Sequence, residues 1–67
     1  MIAWQEHQLP VVGTFWEGAE RNGRVLYRII PAGAPTGMFL LRTCDDPPIE
    51  LGASFDRAVL MTFAELR

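Results

Sequence analysis

The stretch TFWEGAERNGRVLYRII, Thr14–Ile30, decides the fold. Two runs rich in aromatic and β-branched residues flank Asn22-Gly23, the pair favoured at the centre of a two-residue type I′ hairpin turn. Both central residues of that turn need positive φ, which Asn and Gly tolerate best. The implied register sets Trp16 opposite Ile29, Glu17 opposite Arg28, Gly18 opposite Tyr27 and Glu20 opposite Val25. Directly opposed residues share a face, so Trp16, Tyr27 and Ile29 occupy one side, with Tyr27 lying across the bare backbone of Gly18. Glu17 and Arg28 pair on the other side, beside Phe15 and Ile30.

Working outward, Met1–Leu9 reads as a first strand closed by Pro10, which cannot donate to a ladder. Residues 31–37 (PAGAPTG) read as a loop, and Met38–Cys44 as a further strand with Phe39, Leu41 and Thr43 inward and Arg42 toward water. Asp45-Asp46-Pro47-Pro48 breaks the chain, and Ile49–Leu51 is at most a short strand or connector. The segment Phe55–Leu66 reads as a helix with Ser54 as N-cap and Asp56 in its first turn. Its apolar stripe is Phe55, Ala58, Val59, Phe63 and Leu66, which leaves Leu60 and Met61 on the back. The expected fold is α+β: an antiparallel sheet of three to four strands, covered on one face by a C-terminal helix, in a single domain of residues 1–67.

Composition narrows the function. At 67 residues, 49% hydrophobic and 21% charged, the chain is globular in balance yet close to the lower limit for a self-supporting core. Burial there barely exceeds an ordering cost of about 1.5 kcal/mol per residue. Cys44 is the only cysteine and His7 the only histidine, so neither an intrachain disulfide nor a structural zinc site can staple the fold. Good packing or a partner must do so. The single cysteine suits a reducing compartment, and neither a secretory leader nor a transmembrane run is evident, so a soluble protein of the bacterial cytoplasm is expected. All six basic residues are Arg, with abundant Ala, Gly and Pro, as in proteins of GC-rich bacteria and their phages. A net charge of −2 argues against a surface that tracks phosphates, so direct nucleic-acid binding is not expected.

Catalytic parts are scarce. Cys44 and His7 are the one nucleophile–base pair available, on different strands and with no third group to orient them. Asp45, Asp46 and Glu50 fit a solvated turn or an acidic contact better than a metal site. Arg21 and Arg24 at the hairpin tip are offset by Glu17 and Glu20, and no phosphate-binding glycine motif occurs. Trp4, Trp16 and Tyr27 are expected in the core rather than as a base-stacking platform. Catalytic, cofactor and metal roles are therefore unassigned.

The layout Trp4, Tyr27-x-Ile29, Phe39-x-Leu41 and Leu51-Gly52-x-Ser54-Phe55-Asp56-x-x-Val59 resembles small accessory proteins of bacteriophages and mobile elements. Anti-CRISPR inhibitors are one functional class of such proteins. The resemblance implies a non-enzymatic inhibitor or modulator of a host complex, in its sharpest form one that binds a Cas effector and blocks target DNA. The expected contacts are Glu17, Glu20, Asp45, Asp46 and Glu50, with Leu60 and Met61 as an apolar anchor. The alternative is a small nucleic-acid-binding or regulatory module using the arginine-bearing hairpin. Both a monomer and a homodimer are compatible with the sequence.

Overall fold

The computed structural model describes residues 1–11, 13–33 and 37–67. Among the described residues five strands and one helix follow in chain order: β1 (Ala3–Leu9), β2 (Gly13–Ala19), β3 (Val25–Pro31), β4 (Phe39–Thr43), β5 (Glu50–Ser54) and α1 (Arg57–Leu66). The strands form one antiparallel meander in the order β1-β2-β3-β4-β5, with α1 laid over β3, β4 and β5. The α+β architecture is as expected, with one strand more than the sequence suggested. The addition is β5, whose Gly52 and Ser54 are poor strand formers; register with β4, not propensity, holds it in place. The loop expected over residues 31–37 starts later, because Pro31 ends β3 opposite Phe39. Residues 34–36 of that loop lie outside the described residues.

The central hairpin keeps three of its four expected pairs: Trp16 with Ile29, Glu17 with Arg28 and Gly18 with Tyr27. Its turn differs from expectation. Gly23 has φ +88° while among the described residues none other than glycine has positive φ, so Asn22 does not adopt the type I′ conformation. The Gly23 amide donates to the Glu20 carbonyl, and the Glu20 amide donates to the Arg24 carbonyl, both at 2.9 Å. This is a three-residue turn closed by a left-handed glycine. The Asn22 side chain stabilises it by accepting from the Arg24 amide at 2.9 Å. The longer turn moves the register by one, so Val25 faces Ala19 rather than Glu20, and a bulge beyond Gly18 restores the original pairing.

One face of the sheet carries the core: Trp16, Ile29 and Leu41 from the strands, Leu60 and Ala64 from the helix. Ile29 and Leu41 have no exposed surface. Ile2, Trp4, Tyr27, Phe39, Leu51 and Met61 pack around them. Trp16 is held on two sides, by an edge-on contact with Phe39 at 5.6 Å between ring centroids and by the Arg57 guanidinium 4.3 Å above its ring. Cation–π attraction of this kind anchors the first helical turn to β2.

The helix is rotated relative to its sequence reading. Leu60 and Ala64 are its buried residues, while Phe55, Val59, Phe63 and Leu66 are exposed. The physical reason lies in fit. Ala64 is small enough for a close approach, Leu60 sits over Gly52, where no β-carbon intervenes, and Arg57 on the same side caps Trp16. Glu65 adds a tether by accepting from the Ile2 amide at 3.1 Å. The N-cap is Asp56, which accepts from the Ala58 amide at 2.9 Å. Ser54 stands two residues earlier and accepts from the Asp56 amide, so it supports the cap instead of forming it.

Candidate functional site

Three surfaces remain once the core is built. The first is the outer side of α1. At about 3.6 residues per turn, Val59, Phe63 and Leu66 fall in one narrow stripe. They are 54%, 46% and 81% exposed, and Phe55, just before the cap, is 70% exposed. Four large apolar side chains on or beside one short helix form a patch that an isolated soluble domain ordinarily avoids.

The second surface is the sheet face opposite the helix. Register places His7, Glu17, Arg28, Arg42 and Glu50 on five successive strands of this face. Glu17 is the hub. One oxygen lies 3.1 Å from His7 Nε2, and the other accepts from Arg28 Nε at 2.8 Å. Arg28 directly opposes Arg42 across β3 and β4, a like-charge pair that is unfavourable by itself. Glu50 offsets Arg42 at 3.8 Å. The bond to Glu17 is the main influence raising the Arg28 pKa above its ordinary value. His7 also stacks on Phe15, with ring centroids 5.1 Å apart.

The third surface is the end of the sheet where the β2–β3 turn, the β4–β5 connection and the C-terminus of α1 meet. A groove of about 620 Å³ lies there, lined by Ile2, Glu20, Arg21, Tyr27, Glu65 and Arg67 among others. A smaller one continues past Thr43 to Asp45, again with Arg67 in its wall. Bonds between Thr43 and Ile49 close the β4–β5 connection: the Thr43 amide donates to the Ile49 carbonyl, and the Ile49 amide to Thr43 Oγ1.

The acidic residues expected to act together are therefore divided. Glu17 and Glu50 belong to the ionic row on the open sheet face, where Glu17 is bonded to Arg28 and stands beside His7. Glu20 and Asp45 line the grooves at the turn end. Asp46 is exposed on the same connection. The apolar anchor is corrected. Leu60 is 3% exposed in the core, and Met61 packs against it, so the large apolar side chains turned outward are Phe55, Val59, Phe63 and Leu66. The signal was present in the sequence, since Leu60 and Ala64 are themselves spaced i, i+4.

Cys44 and His7 do not form a reactive pair. His7 lies on β1 and Cys44 follows β4, with β2 and β3 between them in the sheet. Partial burial of the thiol pushes its pKa up, against a smaller opposing pull from Arg28. Among the described residues no three His, Cys, Asp or Glu side chains converge as a metal site. No helix among them is long and apolar enough to cross a membrane. Comparison with known proteins finds no matching family model, no matching curated protein and no matching solved structure.

Proposed function

We propose that this protein is a non-enzymatic binding domain whose principal contact with another protein is the outer face of α1. The observation that supports it most is the exposed stripe Phe55, Val59, Phe63 and Leu66 on a helix already seated by Leu60 and Ala64. Apolar area of this kind is what interface cores are made of, with polar groups at the rim. The charged rim here includes Asp56 and Arg67. In its sharper form, supported by small size, mild acidity and the resemblance to phage accessory proteins, the domain inhibits or modulates a host complex such as a Cas effector. Glu20, Asp45 and Asp46, exposed at the turn end, then supply the acidic contacts.

The test immobilises the wild-type protein and a Val59→Ser/Phe63→Ser double variant, each checked for folding by circular dichroism, in lysate of a bacterium carrying CRISPR systems. Proteins retained by the wild type and lost from the variant support the contact face, and a Cas complex among them supports the inhibitor form. The same proteins retained equally by both would place the contact elsewhere.

A further inference from the structure

We propose that the protein covering the outer face of α1 is a second copy of this chain, paired through two antiparallel α1 helices about a two-fold axis near Met61 and Thr62. This rests on the reading of that face as a contact surface and names its occupant.

The stripe is self-complementary. Turned end for end, the helix places Val59 opposite Phe63 of the second copy and Phe63 opposite the second Val59, a small side chain against a large one on both sides of the axis. The same register carries Leu66 of the second copy to the helix entry, where Phe55 stands exposed. It also brings Arg67 of the second copy to Asp56. Asp56 uses Oδ1 to cap Ala58, and among the described residues neither Asp56 nor Arg67 forms an ion pair within its own chain. Antiparallel helices further set each N-terminal positive end beside the partner's negative end. An isologous interface must complement itself under a two-fold axis, and this pattern of size and charge does so.

The monomer also has reason to pair. Among the described residues its buried apolar side chains are Trp16, Ile29, Leu41, Leu60 and Ala64, a small core for a chain whose single cysteine allows no internal disulfide. Covering four more apolar side chains at each α1 enlarges that core without any new element.

Sedimentation equilibrium of the purified protein from about 1 µM to about 500 µM is the test, spanning the affinities of modest interfaces. The wild type should rise from the 7.5 kDa monomer toward twice that mass. Val59→Asp should remain monomeric throughout. Asp56→Asn, which keeps the helix cap, and Arg67→Gln should each weaken association by roughly 2- to 5-fold, the range of an exposed ion pair. The double variant should be little weaker than either single one. A wild type that stays monomeric overturns the self-pairing, while the lysate comparison separately decides whether the face binds any protein. A dimer that survives Val59→Asp overturns it as well, and places association elsewhere, for example at the open edge of β1.

Discussion

The ring of Trp4 occupies the space in which a β-carbon on Gly18 would stand: such a carbon would lie 2.8 Å from Trp4 Cζ3, and equally close to Ile2 Cγ2. The two residues face each other across β1 and β2, so the indole crosses bare backbone at the edge of the core. Gly18→Ala should therefore displace a stiff aromatic ring and cost about 1–3 kcal/mol, as overpacking does. At Gly52 the nearest atom, Leu60 Cδ2, is 3.8 Å from the same construction, an ordinary contact. Gly52→Ala should lie within about 1 kcal/mol of the wild type. Urea denaturation of both variants checks the contrast, and equal losses would contradict it.

The orientation of α1 yields the second prediction. Leu60→Ala removes a side chain from the core and should cost about 2–4 kcal/mol. Phe63→Ala, measured at low micromolar concentration where the chain is monomeric, should cost less than about 1 kcal/mol, because Phe63 is 46% exposed. The opposite ranking would restore the helix face that periodicity favoured.

That reversal shows where sequence reasoning ends. The pairs Trp16–Ile29, Glu17–Arg28 and Gly18–Tyr27 were legible because strand alternation and a turn signal constrain each other. The helix offers two apolar faces at compatible spacing, and its own residues do not rank them. Size favoured Phe55, Val59, Phe63 and Leu66, whereas the sheet accepts the face carrying Leu60, Ala64 and Arg57. The deciding partners are Trp16, far back in the chain on β2, and Gly52 on the strand before the helix, whose place opposite Leu60 depends on the packing of the whole sheet. Likewise the row from His7 to Glu50 needs the register of all five strands, and single-strand patterns do not contain it.

Glu17 is the hub of that row, contacting His7 and Arg28. Glu17→Ala leaves Arg28 opposed to Arg42 without its compensating charge and should cost about 1 kcal/mol, more at low salt than at high. Arg28→Ala, which removes the like-charge opposition along with the ion pair, should cost less. Thermal melts of the two variants at 20 mM and 500 mM salt, concentrations on either side of strong screening, read the difference. Equal costs with no salt dependence would count against the row.

Cys44 gives a prediction in pH. Its thiol pKa is raised, first by partial burial, while Arg28 pulls it down. At a fixed mildly alkaline pH it should carry less thiolate and alkylate more slowly than an unhindered cysteine. Removing the Arg28 charge with Arg28→Gln should move the pH–rate midpoint further upward. A midpoint that falls in that variant would contradict the assigned cause.

The most direct measurement of the central claim is a cross-link. Thr62 is exposed on the flank of the stripe and lies near the proposed two-fold axis. Thr62→Cys in a Cys44→Ser background should form a disulfide-linked dimer under mild oxidation, since paired helices about 8–10 Å apart bring such positions within bonding reach near the axis. Adding Val59→Asp should suppress the product. A monomer that resists cross-linking at several hundred micromolar, on the order of the weakest affinities expected, would contradict the antiparallel pairing of α1.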